Sequence, residues 1–400
     1  MSSRRSKSGY KVSYKLFFKK KPLLITLLGK GLIENNLRKM RIAIVLGTRP
    51  EIIKMAPIIR ACERQNVEYF ILHTGQHYSY NMDRIFFEQL GLPEATYNLD
   101  VGSGTHGEQT GKILTGVEQV LLQERPDVVL VEGDTNTVLA GALAAAKLHI
   151  GVGHVEAGLR SYDRQMPEEI NRVLTDHCSD YLFAPTETER QLLLGEGIAE
   201  DKIFVTGNTI VDAVYQNLGL ANRQRGVLTD LELEPRGYFL VTAHRQENVD
   251  VKERFDGILS GLERITKEYG LPVIYPIHPR ARKMLQHFEL KPAGLELIEA
   301  VDYLSFLQLE SQAKVVLTDS GGVQEETCIL QVPCVTLRDN TERPETLAVG
   351  SNVLAGTDPV KIQECTGLMI TRATEWANPF GDGAAGERIV TILREQLDKS

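Results

Sequence analysis

Residues 41–64, RIAIVLGTRPEIIKMAPIIRACER, contain a continuous apolar run followed by a segment of helix length. The run at 41–47 lacks the alternation of a half-exposed strand, so it predicts a strand covered on both faces. Pro50 suits the first turn of a helix, which we predict over 51–64. A buried strand that leads directly into a helix is typical of a parallel α/β sheet.

The same strand-and-helix unit recurs along most of the chain. We predict five further strands in the first of two such series, at 69–75, 127–134, 151–156, 181–186 and 203–208. The pattern then restarts, with strands at 238–244, 272–278, 295–300, 314–319 and 333–338. Helical segments such as 108–123 and 135–148 separate most of them. The pattern predicts two doubly wound, Rossmann-like α/β domains over 41–207 and 208–380, with a cleft between them.

Composition and charge fit a folded protein with an unusual first segment. The chain has 400 residues, 42% of them hydrophobic and 24% charged, which excludes wholesale disorder. Its net charge of −8 is unevenly divided, because residues 1–39 hold eleven basic side chains and one acid. Residues 40–400 therefore hold 34 basic and 52 acidic residues, a net of −18. Such an acidic body argues against nucleic acid as the main partner.

The basic segment 1–39 is expected to be a disordered extension. Lysines flank the apolar residues 22–28, and such a patch can touch an anionic membrane surface, which is the alternative. The run is far shorter than the roughly 20 residues of a membrane helix, and 30–34 offer no cleavage site of small residues. Five scattered cysteines without a CxxC pair predict reduced thiols, no zinc site and a cytoplasmic protein.

Two segments after predicted strands have the features of anion-binding sites. Arg49 and Lys54 lie around the start of the first helix, where positive charge and free N–H groups suit a phosphate. Surface charge without a ligand is an equally good reading of these two residues. At 319–326, DSGGVQEE, two glycines allow a ligand close to a helix start. Glu326 could then reach ribose hydroxyls, although a tight turn without a ligand is the alternative. The predicted phosphate cradle comprises the backbone of Ser320, Gly321 and Gly322.

Three carboxylates follow strands of the first predicted sheet. Asp134 and Glu156 each end an apolar strand, where a carboxylate is unfavourable unless it is solvated or used. Glu168 and Arg172 have the i,i+4 spacing of a helical ion pair, and Asp134 could cap the helix that follows it. Each carboxylate alone is more often structural. Three of them opposite a phosphate cradle favour an acid–base site.

Two histidines close strands of the second predicted sheet. His244 and His278 could each bind a phosphate or act as an acid near neutral pH, or simply be satisfied within the core. Neither belongs to an HxH or HExxH pattern, so we expect no metal.

These motifs occur in a recognisable order. They are GTRPEIIKMAPII (47–59), TGQH (74–77), GDTNT (133–137), GHVEAGLR (153–160), MPEEINR (166–172), PTE (185–187), VTGNT (205–209), TAHRQEN (242–248), HPR (278–280), TDSGGVQEE (318–326) and RDNTERPE (338–345). Over about 41–398 the chain resembles the non-hydrolysing UDP-N-acetylglucosamine 2-epimerases. The segment 104–111, GTHGEQTG, is closest to archaeal members and is also similar to relatives that act on UDP-2,3-diacetamido sugars.

The resemblance implies a fold, a reaction and a partner. The fold would be GT-B-like, with the nucleotide in the cleft, a helix at 384–398 crossing back to the first domain, and a homodimer. The reaction would interconvert UDP-GlcNAc and UDP-ManNAc without a cofactor. In it, UDP would leave by anti elimination to give a 2-acetamidoglucal, and would then add back.

Roles for individual residues also follow from the resemblance. The acid–base set would be Asp134, Glu156 and Glu168, with His244 near the diphosphate. Either Asp134 or Glu156 could remove the C2 proton. Arg172 would orient Glu168 or the substrate. The remaining substrate-binding residues would be Arg49, Lys54, His278, Ser320, Gly321, Gly322 and Glu326.

Four alternatives remain on the sequence alone. The chain could be a GT-B glycosyltransferase or a hydrolysing epimerase that releases ManNAc. It could epimerise a UDP-2,3-diacetamido sugar instead. It could also be a silent UDP-sugar binding protein, although three retained acids would weaken the binding of a diphosphate.

Overall fold

Two parallel β-sheets form the framework of the molecule. The computed structural model describes residues 40–76, 80–223 and 226–399. The predicted basic extension at 1–39, and with it the alternative of membrane contact, lies outside the described residues. Within the described ranges, no helix is both long and apolar enough to cross a bilayer.

Within the described part of the chain, the first sheet has seven strands. They are β1 Arg41–Leu46, β2 Glu68–His73, β3 Tyr97–Asn98, β4 Val128–Glu132, β5 Gly151–Val155, β6 Tyr181–Ala184 and β7 Ile203–Val205. Their order is β3-β2-β1-β4-β5-β6-β7, with every pair parallel. The helices of this half are α1 Arg49–Arg64, α2 Tyr80–Gln89, α3 His106–Glu124, α4 Asn136–Lys147, α5 Pro167–Cys178, α6 Glu187–Gly195 and α7 Thr209–Ala221, with a 3₁₀ turn at Glu200–Lys202.

The second sheet has six strands and the same topology. They are β8 Phe239–Thr242, β9 Val273–Pro276, β10 Leu295–Ile298, β11 Val315–Thr318, β12 Cys334–Thr336 and β13 Asn352–Leu354, in the order β10-β9-β8-β11-β12-β13. The remaining helices are α8 Val227–Asp230, α9 Gln246–Val249, α10 Lys252–Tyr269, α11 Pro279–His287, α12 Tyr303–Gln312, α13 Gly321–Ile329, α14 Pro344–Ala348, α15 Pro359–Ile370 and α16 Ala385–Leu397. Both sheets are doubly wound, as predicted.

Each sheet has a point at which the strand order reverses. In the first sheet, β1 lies between β2 and β4; in the second, β8 lies between β9 and β11. The chain leaves neighbouring strands in opposite directions there, which opens a crevice at their carboxyl ends. These two points are therefore where ligand-binding residues are expected.

Helices α7 and α16 connect the two halves. Helix α7 packs against α1 as well as α12 and α13, and α16 packs against α1 and α7. Asp212 accepts hydrogen bonds from the amides of Ala385 (3.1 Å) and Gly386 (3.0 Å), which fixes the start of α16. A Cβ at Gly386 would lie 2.9 Å from the backbone of Pro57, so only glycine permits this close approach. The last helix thus lies against the first one.

Candidate active site

The turn from β1 into α1 is held by a buried carboxyl group. Glu51 accepts hydrogen bonds from the amides of Gly47 (2.5 Å) and Thr48 (3.3 Å), and from the hydroxyl of Thr135 (2.6 Å). Burial raises the pKa of Glu51 to about 7, although these hydrogen bonds oppose the rise. A Cβ at Gly47 would lie 2.0 Å from Thr74 Oγ1, so the turn requires glycine. Glu51 therefore connects the strand ends of β1 and β4.

Lys54, one turn into α1, points at two carboxyl groups. Its Nζ lies 2.7 Å from Oε1 and 2.6 Å from Oε2 of Glu156, and 3.3 Å from Oε1 of Glu132. The side chains are nearly buried, with 13% of Lys54, 6% of Glu156 and 2% of Glu132 exposed. Such a dry ion pair is stable only when both charges remain partnered.

Burial and neighbouring charges shift the pKa values of Lys54, Glu156 and Glu132 in different ways. Burial alone would lower the pKa of Lys54. The negative charges of Glu156 and Glu132 have a larger opposite effect and raise that pKa. Burial would raise the pKa of Glu156, but the charges of Lys54 and Arg343 lower it to about 2. Burial raises the pKa of Glu132 well above its ordinary value, and the charge of Glu156 adds to the rise. Glu156 is therefore the ionised member of the carboxyl pair.

The backbone turns Glu156 into this position. Glu156 follows β5 with a φ of 69°, a left-handed conformation that is unfavourable for a residue with a side chain. Asn208, the N-cap of α7, donates a hydrogen bond from Nδ2 to Glu156 Oε1 (3.2 Å). A Cβ at Gly133 would lie 4.0 Å from Glu156 Oε2, so the turn that carries Asp134 is adjacent. Glu156 thus has a strained backbone and is held in place by contacts from β5, α1 and α7. Backbone strain of this kind is typical of a functional site.

The second half of the molecule adds another ion pair to the same region. Arg343 Nε lies 2.7 Å from Oε1 of Glu325, on α13. The charge of Arg343 helps to lower the pKa of Glu156, and that of Glu325 helps to raise the pKa of Lys54. We call Lys54, Glu132, Glu156, Glu325 and Arg343 the buried charge cluster. It joins the carboxyl-end loops of both sheets.

Asp134 follows a turn that is adjacent to this cluster, whereas Glu168 has different surroundings. Arg172 forms ion pairs with Asp134 and, at 3.3 Å, with Glu169. The expected pairing of Arg172 with Glu168 is therefore not what the structure shows. Thr135, rather than Asp134, caps α4, because its hydroxyl accepts from Thr137 N at 3.1 Å.

Glu168 instead lines a polar cavity of about 310 Å³ at the end of the first sheet. Amide side chains and a histidine supply most of its polar groups. They are Gln76, His106, Gln109, Asn136 and Asn171. Asn171 Nδ2 also donates to the carbonyl of Asp134 (2.9 Å), so the cavity wall supports the Asp134 loop. A cavity with several fixed donors and acceptors is suited to a sugar with many hydroxyl groups.

Asp319 organises the loops beside the predicted phosphate cradle. It is fully buried, at the end of β11, and accepts hydrogen bonds from His244 N (3.0 and 3.1 Å) and Arg245 N (2.9 Å). Asn248 Nδ2 donates to it as well, at 3.2 Å. The carboxylate thus ties the loop after β8 to Ser320, which follows it and caps α13.

The two predicted histidines meet at this edge. The ring centroids of His244 and His278 are 5.5 Å apart. His278 caps α11 and accepts from Arg280 N at 3.2 Å, so its Nδ1 is unprotonated. Burial and the proximity of His244 lower the pKa of His278. His244 follows β8, which lies between β9, whose end carries His278, and β11, whose end leads to Ser320 and the start of α13.

Arg49 and Glu326 each lie near Tyr303 of the second half. Arg49 lies over the ring of Phe86, at 5.8 Å, and lines a cavity of about 490 Å³ that Tyr303 and Phe306 close from the second half. Tyr303 donates a hydrogen bond to Glu326 Oε1 at 3.0 Å. Burial raises the pKa of Glu326 to about 7. Glu326 is therefore buried and in contact with Tyr303, one of the aromatic residues that line this cavity.

Several residues of the site were not predicted from the sequence. Glu132, Glu325 and Arg343 complete the buried charge cluster, and Arg245 lies next to the phosphate cradle. A charged residue inside an apolar strand run was the available signal for Glu132, at 127–134. Among the described residues, no group of three His, Cys, Asp or Glu side chains is arranged to hold a metal ion.

The molecule is a GT-B-like α/β protein. It has two Rossmann-like sheets, with the start of helix α13 at the carboxyl end of one and carboxylates at the carboxyl end of the other. A family model described as UDP-N-acetylglucosamine 2-epimerase matches residues 60–394. A UDP-N-acetylglucosamine 2-epimerase of Methanocaldococcus jannaschii is 58% identical over 361 residues, which are 88% of this chain and 99% of the relative. The chain belongs to the UDP-N-acetylglucosamine 2-epimerase family.

Two further comparisons agree. The crystal structure of the Methanocaldococcus jannaschii UDP-GlcNAc 2-epimerase in complex with UDP-GlcNAc and UDP has a TM-score of 0.80 and 58% identity, and the match covers 89% of this chain and all of that one. A UDP-2,3-diacetamido-2,3-dideoxy-D-glucuronate 2-epimerase of Pseudomonas aeruginosa is 42% identical over 356 residues, 88% of this chain and 99% of the relative. The family, the GT-B-like fold and the isomerase class are thereby confirmed.

Proposed function

We propose that this protein interconverts UDP-GlcNAc and UDP-ManNAc by inverting C2. The observation that carries the proposal is the buried charge cluster, which keeps Glu156 ionised between residues of the first sheet and of the second. The Methanocaldococcus jannaschii relative, with UDP-GlcNAc and UDP bound in its crystal structure, supports the substrate.

The chemistry needs two acid–base groups and a held leaving group. A carboxylate, Glu156 or Asp134, takes the C2 proton while the C1–O bond breaks and UDP leaves with the electron pair. A C1–C2 double bond then forms, which gives a 2-acetamidoglucal. A second acid, with Glu168 completing the set, returns a proton to the other face of C2, and UDP attacks C1 again. The cycle is redox-neutral overall, so it needs no redox cofactor.

UDP must remain bound between the two steps, because its escape would turn epimerisation into hydrolysis. Arg49, Lys54 and the imidazoles of His244 and His278 supply donors for a diphosphate. The N-terminus of α13 adds backbone amides and a positive dipole, and Glu326 offers an acceptor for the ribose.

Lys54 has two tasks in this proposal. In the structure its ammonium neutralises Glu156. When a diphosphate competes for that ammonium, Glu156 loses part of its counter-charge and its affinity for a proton rises. Binding of the leaving group and activation of the base are thereby coupled. Arg172 holds Asp134 in a comparable pair.

The deciding experiment is incubation of the purified protein with UDP-GlcNAc in D2O, followed by NMR. We expect UDP-ManNAc with deuterium at C2 and no added cofactor. Free ManNAc would indicate a hydrolysing enzyme, and transfer to an added acceptor would indicate a glycosyltransferase. If UDP-GlcNAc is inert and a UDP-2,3-diacetamido sugar is turned over, the substrate is that sugar instead. The Pseudomonas aeruginosa relative is named for a substrate of this class.

We also propose a cytoplasmic homodimer that does not use nucleic acid as a partner. All five cysteines are free, which is typical of a reducing compartment. Exposed apolar side chains on α5, Ile170 and Leu174, together with Leu122 on α3, provide a surface that a second copy could cover.

A further inference from the structure

We propose that Glu132 is a positioning residue for Glu156: it keeps its proton and donates a hydrogen bond to the Glu156 carboxylate. This inference rests on the proposed function for its catalytic meaning. It concerns a side chain that takes no part in the reaction described above.

The geometry brings the two carboxyl groups together. Glu132 is the last residue of β4 and pairs with Val155, the residue before Glu156. The left-handed backbone of Glu156 turns its side chain back, within hydrogen-bonding reach of Glu132. Both groups share Lys54 as their cation. Two carboxylates this close repel each other unless one proton lies between them.

The charges of the surroundings decide where that proton is. Lys54 faces Glu132 from α1, Glu156 faces it from the end of β5, and Glu51 acts on it from the first turn of α1. Lys54 lies closer to Glu156, at 2.6 Å, than to Glu132, at 3.3 Å. The better-paired carboxyl ionises first. Glu132, with 2% of its side chain exposed, therefore keeps the proton.

Neutral Glu132 also balances the whole buried charge cluster. Lys54 and Arg343 carry two positive charges, while Glu156 and Glu325 carry two negative ones. An ionised Glu132 would leave a net negative charge where the diphosphate must approach. A protonated Glu132 instead fixes the orientation of Glu156 and leaves Lys54 free to respond to the ligand.

The test compares two substitutions of similar size. Glu132→Gln keeps a neutral hydrogen-bond donor, whereas Glu132→Met removes it. We expect kcat for C2 deuterium exchange within about threefold of wild type for Gln and lower by about 10- to 100-fold for Met, with little change in KM. An equal loss in both variants, or full activity of Glu132→Met, would overturn the proposal.

The control is another buried carboxyl, Glu189, which closes the capping box of α6. Glu189→Gln and Glu189→Met should leave kcat unchanged, and melting curves confirm that each variant is folded.

A second measurement does not depend on catalysis. Infrared difference spectra of the apoprotein at pH 7.5 should show that Glu132→Gln removes a protonated carboxylic acid band. Loss of an ionised carboxylate band in Glu132→Gln would refute the inference. If wild type proves inert toward UDP-sugars, the proposed function fails while this readout still reports on Glu132.

Discussion

The ammonium group of Lys54 lies 2.6 Å from Glu156 Oε2, in a site from which water is almost excluded. The pair bridges α1 and the end of β5, two elements that are 102 residues apart in the chain. A link of this kind stabilises the fold and, in the proposed reaction, adjusts the proton affinity of the base.

Removal of either partner should leave the other charge buried without its nearest counter-charge. We expect Lys54→Met and Glu156→Gln each to lower the free energy of unfolding by about 3–5 kcal/mol. The double variant should lose less than the two single effects together, by about 2 kcal/mol, because it leaves no lone charge. Equilibrium denaturation in urea measures all four proteins. Strict additivity would contradict the pairing, and Arg84→Gln, in an exposed ion pair, is the control.

The carboxylate of Asp319 should control nucleotide affinity without contacting the nucleotide. In Asp319→Asn, an amide group would face the N–H donors of His244 and Arg245, so the loop that carries them should lose its anchor. We expect the Kd for UDP to rise by about 10- to 100-fold, measured by calorimetry. Asp358→Asn, which caps α15 away from the cleft, should bind UDP like wild type. Unchanged affinity in Asp319→Asn would show that the loop is held by other contacts.

Apolar runs in the sequence predicted the central strands correctly, because buried parallel strands leave a strong local pattern. The strands β3, Tyr97–Asn98, and β13, Asn352–Leu354, were missed. Each has only two or three residues and lies at an edge of its sheet, so it is defined by pairing with a neighbour rather than by its own composition.

The same holds for the site: the positions of candidate residues could be predicted from local sequence, but their contact partners could not. Strand-end reasoning selected Asp134, Glu156 and Ser320 as candidates, since topology alone brings such ends together. It could not find that Lys54 contacts Glu132 and Glu156, or that Arg172 prefers Asp134 to Glu168. Those partners depend on how the helices pack on the sheet, and a local sequence pattern does not contain that information.

The exposed apolar face of α5 should form the dimer interface. Ile170 and Leu174 lie one turn apart and are 42% and 47% exposed. The double substitution Ile170→Glu and Leu174→Glu would place charges in that interface, so we expect the mass from sedimentation velocity to fall from dimer to monomer. Leu368→Glu, on α15, is equally conspicuous at 59% exposed and should leave the dimer intact. A monomeric wild type, or a dimeric double variant, would refute this assignment.

The buried carboxyl of Glu326 should make stability depend on pH in an identifiable way. Its pKa rises from 4.5 to about 7 on folding, chiefly through burial, so the folded protein binds the extra proton between these values. The contribution of Glu326 to the free energy of unfolding is therefore fully present below pH 4.5. It falls by about 3 kcal/mol as the pH rises to 7. Glu326→Gln resembles the protonated form and can still accept from Tyr303. We expect it to match wild type in urea at pH 5 and to exceed it at pH 7.5. A difference between the two proteins that is independent of pH would mean that Glu326 is ionised throughout.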